Sequence, residues 1–208
     1  MNELYHSTRG RTRKSKLVII TKNSKDDLLE VHKGVYKWRL VYYNEKRKRG
    51  DSVKNTTLCY IRKDGCYLML HRVKKENDLN HDKWIGVGGK FLPDESPEEC
   101  LLRETQEETG LTLTQFDLRG IVTFVSARWE TEYMYLYTAD GFEGEIASCD
   151  EGVLEWVPIS QVPELELWEG DRIFLELLER ETPCFTLKLV YDKEDRLESA
   201  LLNGKKIR

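Results

Sequence analysis

The stretch "GGKFLPDESPEECLLRETQEETGL", residues 88–111, decides the fold because it contains a helix with both of its ends marked. Ser96 suits the position before the first turn, and Pro97 suits the first helical position. Glu99 completes a capping box with Ser96. Gly110 suits the left-handed residue that ends a helix. These signals predict a helix between Pro97 and Gly110.

Three glutamates on this helix stand three and four residues apart, so Glu104 is expected to face both Glu107 and Glu108. Like charges at that spacing cost a few tenths of a kcal/mol per pair. A solvated acidic face is the ordinary interpretation of such a run. A divalent cation would offset the repulsion, and Mg²⁺ prefers hard oxygen ligands. The residues expected to pack the other side of the helix on a sheet are Leu101, Leu102, Thr105 and Thr109.

The segment "WIGVGGKF", residues 84–91, precedes the helix and is rich in glycine. Glycines let backbone amides and carbonyls approach a metal or a phosphate closely. Lys90 adds a positive charge suited to a phosphate oxygen. Phe91 excludes both a P-loop, which needs Ser or Thr after the lysine, and the dinucleotide fingerprint, which needs a third glycine there. Cation, glycines and lysine together indicate chemistry on a phosphoanhydride.

The spacing of these residues resembles the signature of the Nudix hydrolases, the Nudix box. The matching residues are Gly89, Glu95, Arg103, Glu104, Glu107, Glu108, Gly110 and Leu111. Without Leu111, which stands at a position open to several aliphatic residues, seven defined residues remain, and their fixed spacing arises by chance about once in 10⁸ positions if each residue type has about 7% usage. Thr105 is a mild departure, because the family usually has an aliphatic residue there. The resemblance implies an α/β fold, the Nudix α/β/α sandwich, in which a mixed sheet lies between helices.

Within that superfamily the chain is most similar to the MutT-like oxidised purine nucleoside triphosphatases, the 8-oxo-dGTP diphosphatases. The likeness runs from about Thr57 to Leu202. "KWIGVGGKF" resembles a glycine-rich segment of that group, and "CDEGVLEW" resembles the segment that supplies a further acidic metal ligand, here Glu151. "LWEGD" resembles the segment in which a tryptophan stacks on the base and acids read its edge, here Trp168 and Asp171.

Two positions depart from the base pocket of that group. Gly170 stands where the metazoan enzymes have a second acid, and Ile85 replaces an asparagine that bonds the base. Both changes remove a polar contact, so discrimination between bases is expected to be weaker than in those enzymes. Taken alone, Trp168 also suits a core aromatic residue.

The resemblance implies a role for each candidate site residue. The implied catalytic residues are Glu104, Glu107, Glu108 and Arg103, with Arg103 orienting the helix carboxylates. The implied metal ligands are Gly88, through its carbonyl, Glu104, Glu107, Glu108 and Glu151. The implied substrate-binding residues are Thr57, Val87, Gly88, Gly89, Lys90, Trp168 and Asp171.

The implied cofactor is Mg²⁺, with Mn²⁺ as a substitute, and the implied substrate is a nucleoside triphosphate such as 8-oxo-dGTP. Water activated by the metal would attack a phosphoanhydride and give a nucleoside monophosphate and pyrophosphate. One of the glutamates would act as general base, and the sequence leaves open which one.

The remaining sequence predicts strands and a second helix. Asp64 and Gly65 mark a hairpin turn in "TTLCYIRKDGCYLMLHRV", and residues 192–195 mark a second hairpin. Further strands are predicted in "GIVTFVSARW", "TEYMYLYTAD" and "VLEWVPI", and an amphipathic helix in "GDRIFLELLER". This order of elements suits a mixed sheet between helices.

Composition suits a globular protein, with 34% charged and 39% hydrophobic residues among the 208. No apolar run approaches membrane-spanning length, so no membrane partner is expected. The five cysteines are odd in number and form no Cys-x-x-Cys pair. They predict reduced thiols in a cytoplasmic protein rather than a disulfide framework or a zinc site.

Residues 1–52 differ in charge from the rest of the chain. They carry 14 Lys or Arg against 6 Asp or Glu, whereas residues 53–208 carry 19 against 31. The asymmetry predicts two parts, a basic extension over residues 1–52 and a Nudix domain over residues 53–208. "RKRG", just before Val53, can be encoded entirely by purines, as a ribosome-binding site would be. A start of translation at Val53, with a non-native extension before it, is therefore a further hypothesis.

Other functions stay open. Some Nudix hydrolases cleave ADP-ribose, dinucleoside polyphosphates or coenzyme A. The ADP-ribose group tends to have a proline soon after the box, whereas none occurs here between Gly110 and Pro158. A nucleotide-sensing or nucleic-acid-binding protein on the same fold would use the basic residues 1–52 as its arm. The intact glutamates argue against that class, so a nucleic-acid partner is not expected, and the oligomeric state stays open.

Overall fold

The computed structural model describes residues 53–74 and 79–208 in full, together with the backbone of two short strands. These strands, β1 (His32–Lys33) and β2 (Tyr36–Lys37), pair antiparallel. Backbone contacts divide the chain into two compact units, Met1–Lys46 and Arg47–Arg208. The predicted basic extension over residues 1–52 lies outside the fully described residues and stays a prediction.

The described part of the larger unit contains nine strands, two α-helices and one 3₁₀ helix. The strands are β3 (Lys54–Lys63), β4 (Cys66–His71), β5 (Trp84–Ile85), β6 (Thr112–Ser126), β7 (Glu132–Glu143), β8 (Val153–Pro158), β9 (Phe185–Tyr191), β10 (Leu197–Leu202) and β11 (Lys205–Lys206). The helices are α1 (Pro97–Thr109), α2 (Glu169–Glu179) and the 3₁₀ helix η1 (Ile159–Glu164). Neither α-helix is long and apolar enough to cross a membrane.

The nine strands form one sheet in the order β11-β10-β9-β6-β7-β3-β4-β5, with β8 paired to β4. The sheet is mixed, because β3 pairs parallel with β7 and β6 pairs parallel with β9, whereas the other pairs are antiparallel. The predicted hairpins, strands and second helix are confirmed. Within the larger unit, the sequence did not predict β5, β11 or η1.

The first hairpin closes at Asp64 and Gly65, which both have positive φ, 49° and 74°. Two such residues form the turn that matches the right-handed twist of the strands. β3 and β4 stay paired over only two residue pairs next to this turn. Beyond them the strands separate, which leaves one side of β3 open to another segment.

The glycine-rich segment after β5 fills that opening. The Cys59 N–H donates to the Val87 carbonyl at 2.7 Å, and the Thr57 N–H donates to the Gly89 carbonyl at 2.9 Å. These bonds hold the segment that leads into α1 against β3. Because β3 lies inside the sheet and not at its edge, the glycine-rich segment that is bonded to it lies in the middle of the fold.

The two helices lie on opposite faces of the sheet, because neighbouring residues of β3 point to opposite sides. Tyr60 packs in one core cluster with Phe174 of α2, their ring centroids 6.0 Å apart. Ile61 packs in the other cluster with Leu101 of α1. The predicted sandwich of a mixed sheet between helices is therefore confirmed.

The predicted ends of α1 are confirmed. The Ser96 side chain accepts from the Glu99 N–H at 3.2 Å, and the Glu99 carboxylate accepts from the Ser96 N–H at 2.8 Å. Gly110 ends the helix with a φ of 76°.

The predicted packing face of α1 is wrong at Leu102, which is 38% exposed. Residues that share a helix face recur at intervals of three or four, so the stripe that contains Leu101 also contains Thr105 and Glu108. Leu102 lies about 100° around the helix from Leu101. Glu108 is consequently buried, only 8% exposed, on the packing side of α1.

Candidate active site

A cavity of about 530 Å³ lies beside the first residues of β3 and β7. Nine of the residues implied by the resemblance line it. They are Thr57, Gly88, Gly89, Lys90, Glu104, Glu108, Glu151, Trp168 and Asp171. The fold thus brings together residues that are spread over more than half of the chain.

Three implied residues lie outside this lining. Val87 is fully buried and packs with Leu101 in the core cluster on the α1 face. Arg103 and Glu107 lie on α1 next to Glu104, and the Glu107 side chain is 61% exposed. The functional roles given to these residues by the resemblance stay predictions.

Glu108 is the most buried acid of the α1 group. Its carboxylate accepts a hydrogen bond from the Gly88 N–H at 2.9 Å. Burial raises the pKa of Glu108 to about 8, and the charges of Glu151 and Glu104 add to the rise. The Gly88 N–H and the positive charge of Arg72 act in the opposite direction on this pKa. The carboxylates of Glu151 and Glu104 therefore lie close enough to Glu108 to oppose its ionisation.

The two glycines before Lys90 allow this convergence. A Cβ atom on Gly89 would lie 2.2 Å from the Glu104 carboxyl carbon. A Cβ atom on Gly88 would lie 2.2 Å from the Thr57 carbonyl oxygen, and Gly88 has a φ of 149°. Any side chain at these positions would push α1 or the glycine-rich segment away from β3.

Arg103 holds the acids of α1 from one side. Its Nε and Nη2 donate to Glu95 at 2.6 and 2.9 Å, and its Nη1 donates to Glu104 at 2.8 Å and Glu107 at 3.1 Å. Nη2 also donates to the Lys90 carbonyl at 3.0 Å. The Arg103 guanidinium lowers the pKa of Glu95 to about 2. Contact with both Glu104 and Glu107 is the arrangement that an orienting role requires.

Glu151 reaches the cavity from the loop before β8. Its carboxylate pairs with Arg72, a residue that follows β4 and whose side chain is only 11% exposed. The Lys74 N–H donates to the Glu151 carbonyl at 3.3 Å, and the Lys74 ammonium donates to the Cys149 carbonyl at 2.6 Å. These contacts tie the loop to the end of β4 and set the position of Glu151.

The residues described by the structure contain no ready-made group of three Asp, Glu, His or Cys side chains that could hold a metal ion. Glu104 is held by Arg103 and Glu151 by Arg72. The donors at the cavity are nevertheless carboxylate oxygens, the type that Mg²⁺ prefers. Burial is the main cause of the raised pKa of Glu108, and repulsion from Glu151 and Glu104 adds to it. A divalent cation would relieve that repulsion. The residues therefore fit the implied ion.

Trp168 stands at the other end of the cavity, immediately before α2. Its Nε1 donates to the Asn80 side-chain oxygen at 2.9 Å. The edges of the neighbouring rings contact it at centroid distances of 6.0 Å for Phe124 and 5.4 Å for Tyr191. The Lys83 ammonium lies 5.8 Å from its ring centroid. Trp168 is half-buried, so it is both a core aromatic residue and part of the cavity wall.

Asp171 follows Trp168 by one helical turn and is 7% exposed. Burial raises its pKa to about 7, against the effect of the positive charges of Lys83 and Arg172. Below that pH the carboxyl is neutral and can donate a hydrogen bond as well as accept one. The cavity thus has a polar group beside its aromatic wall.

Gly170, at the position where the resemblance implies a second acid, is closely packed here. A Cβ atom on it would lie 2.4 Å from a Leu189 methyl carbon and 2.6 Å from the Tyr191 hydroxyl. Its N–H donates to that hydroxyl at 2.8 Å. The missing acid is thus replaced by a contact between α2 and β9.

Sequence reasoning missed several residues of the cavity. They are Thr56, Arg72, Asn80, Phe124, Glu132 and Met134. The Thr56 hydroxyl donates to Glu132 at 2.7 Å across 76 residues of sequence. The alternation of side chains along each strand could have shown which residues share a face. The parallel pairing of β3 with β7 could not be predicted, because no local sequence pattern indicates it.

The sequence profile of the NUDIX domain matches residues 53–178, more than half of the chain. The chain belongs to the Nudix hydrolase family. Nudix hydrolases act on nucleotide substrates and generally use divalent metal ions.

Relatives and solved structures of this Nudix hydrolase agree with that assignment. It is 34% identical over 106 residues to the oxidized purine nucleoside triphosphate hydrolase of Danio rerio, covering 50% of this chain and 67% of the relative. It is 25% identical over 161 residues to the uncharacterized Nudix hydrolase YvcI of Bacillus subtilis, covering 75% of this chain and 98% of the relative. A crystal structure of a MutT protein from Bacillus halodurans superposes with a TM-score of 0.64 at 26% identity, covering 73% of this chain and 99% of that one.

Proposed function

We propose that this Nudix hydrolase cleaves purine nucleoside triphosphates, oxidised forms such as 8-oxo-dGTP among them, to a nucleoside monophosphate and pyrophosphate. One observation carries the proposal: a single cavity of about 530 Å³ has acids and a lysine at one end and an aromatic wall with a buried carboxyl at the other. A nucleotide has the matching two ends, an anionic chain and a flat base.

The phosphate end would bind and orient the anhydride. Lys90 offers its ammonium to a phosphate oxygen, and Gly88 and Gly89 let the substrate approach the backbone closely. Arg103 holds Glu104 and Glu107 in fixed directions on α1. Mg²⁺, or Mn²⁺ in its place, would be held by Glu104, Glu107, Glu108, Glu151 and the Gly88 carbonyl, where it would supply an activated water and shield the phosphate charge.

The base end would hold the purine against Trp168. Stacking on an aromatic face is worth about 1–3 kcal/mol per base and discriminates little between bases. Preference would therefore come from hydrogen bonds at the base edge, and we propose that Asp171 makes them. Oxidation at the purine 8-position changes the donor pattern of the ring. The name of the Danio rerio relative, an oxidized purine nucleoside triphosphate hydrolase, supports this choice of substrate.

A panel of normal and oxidised nucleoside triphosphates tests the proposal, with ADP-ribose and a dinucleoside polyphosphate as competitors. The expected result is cleavage of 8-oxo-dGTP to the monophosphate and pyrophosphate, dependent on Mg²⁺ or Mn²⁺. In Trp168→Ala, KM should rise for every purine substrate. Cleavage of ADP-ribose or of the dinucleoside polyphosphate alone would overturn the assignment.

We also propose that the catalytic unit is residues 53–208, acting in the cytoplasm to remove damaged nucleotides before a polymerase uses them. The start of the NUDIX profile match at residue 53 supports that boundary. A chain starting at Val53 should keep the thermal unfolding midpoint and the kcat/KM of the full chain. A large loss of either would assign residues 1–52 to the working enzyme.

A further inference from the structure

Strand pairing places a second carboxylate, that of Glu132, next to the aromatic residues of the base end. In the parallel pair of β3 and β7, Lys54 lies beside Glu132 and Thr56 lies beside Met134. In the antiparallel pair of β6 and β7, Phe124 lies beside Glu132. Directly paired residues share a face of the sheet. Glu132 therefore lies next to Phe124, whose ring contacts Trp168.

Thr56 fixes the direction of this carboxylate. Its hydroxyl donates to Oε1 of Glu132 at 2.7 Å, and Thr56 itself is only 7% exposed. Oε2 receives no hydrogen bond from the residues that the structure describes, and Glu132 lines the cavity. Oε2 can therefore accept a hydrogen bond from a donor on a ligand.

The surroundings make that contact selective. Leu58, Ile85 and Met134 also line the cavity and offer no polar side chain. The Asn80 side-chain oxygen is used by Trp168. Besides Asp171 and Glu130, a ligand donor placed here meets few side-chain acceptors, and Glu132 is one that is already oriented.

We infer that Glu132 reads the edge of the bound base and selects a guanine-type purine, with Thr56 as its positioning residue. The inference rests on the proposed function. An ionised carboxylate only accepts hydrogen bonds, and it can accept two at once. A guanine-type edge presents a ring N–H and an amino group side by side, so it supplies adjacent donors. An adenine-type edge places an acceptor beside its amino group and would leave one contact unmade.

A comparison of dGTP with dITP tests this inference. The two nucleotides have the same phosphates and sugar, and dITP lacks the purine 2-amino group. For the wild type, kcat/KM for dGTP should exceed that for dITP by about tenfold or more, because a half-buried and oriented acceptor loses its donor. Glu132→Gln, which turns one acceptor into a donor, should reduce this ratio at least fivefold. Thr56→Val, which keeps the shape but frees Glu132, should reduce the ratio in the same direction and by less.

Glu143→Gln is the matched control, since it makes the same change at the far end of β7, and its ratio should stay within twofold of the wild type. Equilibrium binding of dGMP and dIMP to the full chain, measured by calorimetric titration, should show the same changes without turnover. If Glu132→Gln does not fold, Thr56→Val tests the inference in this binding assay, where it should reduce the preference for dGMP over dIMP.

The outcomes separate the two claims. If the wild type cleaves no purine triphosphate with either metal, the proposed function fails. If it cleaves them but dGTP and dITP are equal, or if Glu132→Gln keeps the wild-type ratio, the reading of the base by Glu132 is wrong. A change in the GTP to dGTP ratio in place of the dGTP to dITP ratio would move Glu132 to the sugar and overturn the inference as well.

Discussion

The two helices on either side of the sheet begin in different ways. α1 begins with a capping box between Ser96 and Glu99, made within four residues of sequence. α2 begins at Glu169, and the preceding residue Trp168 makes no side-chain capping bond. The Gly170 N–H is instead satisfied by the Tyr191 hydroxyl on β9. The phosphate end of the cavity is thus formed by α1, whose start is fixed by neighbouring residues. The base end is formed next to α2, whose start is fixed by a residue of a distant strand.

The C-terminal strands complete the support of α2. Glu169 accepts from the Arg208 side chain at 2.6 Å and from the Leu197 N–H at 3.4 Å. The Trp84 N–H donates to the Glu166 carbonyl at 2.9 Å and holds the segment before the helix. Changes far from Trp168 in sequence are therefore expected to reach the base end, whereas the phosphate end should respond mainly to changes within its own motif.

The largest effect is expected at Glu108. Glu108→Gln keeps the shape of the side chain but removes the charge that would hold the metal. A loss of at least about 3 kcal/mol of transition-state stabilisation, over a hundredfold in kcat/KM, should follow. Steady-state kinetics with saturating Mg²⁺ measures it, and near-normal turnover would contradict the metal site.

Asp171 should give the next largest effect, as a dependence of stability on pH. Its pKa is raised in the folded state from 3.8 to about 7, so the fold favours its neutral form. The contribution of the neutral carboxyl to the free energy of unfolding is present in full below pH 3.8 and is lost as the pH rises through 7. Asp171→Asn stays neutral throughout and should gain roughly 2–3 kcal/mol relative to the wild type between pH 5 and pH 8.

Urea unfolding of both proteins at the two pH values measures this difference. Parallel stability curves for the two proteins would show that the Asp171 carboxyl is ionised at neutral pH. In kinetic assays, Asp171→Asn should also reduce the preference between oxidised and normal purines.

Tyr191→Phe should destabilise the α2 side by about 1–3 kcal/mol, because it leaves the buried Gly170 N–H without an acceptor. Tyr191 is only 2% exposed, so water does not readily replace the hydroxyl. Denaturant unfolding gives the free energy, and KM for purine substrates should rise with little change in kcat. An unchanged KM would show that the start of α2 is held by its other contacts.

The smallest effect is expected at the cap of α1. Ser96→Ala removes one side-chain acceptor at an exposed helix end and should cost about 1 kcal/mol of unfolding free energy. Because Pro97 and Gly110 still mark the ends of the helix, kcat/KM should stay within about twofold of the wild type. If Ser96→Ala lost more unfolding free energy than Tyr191→Phe, the comparison between the two helices would be reversed.

The same contrast explains what the sequence could predict. The capping box, Gly110 and the Asp64-Gly65 turn depend on neighbouring residues, and the structure confirms them. The sequence also predicted which face of α1 packs, and this was wrong at Leu102 because assignment of a face needs the position of the sheet. Glu132 was missed because its partner Thr56 is 76 residues away on a parallel strand.

Two consecutive threonines of β3 serve different halves of the cavity. The Thr56 hydroxyl points to Glu132, whereas the Thr57 hydroxyl lies 3.6 Å from the Cys100 sulfur on α1. Insertion or deletion of a single residue at this point would turn every later side chain of β3 to the opposite face. Such a change would damage both halves at once, while lengthening a surface loop would spare them. Substitutions can therefore retune either half separately over evolution, but the length of this strand is not free to vary.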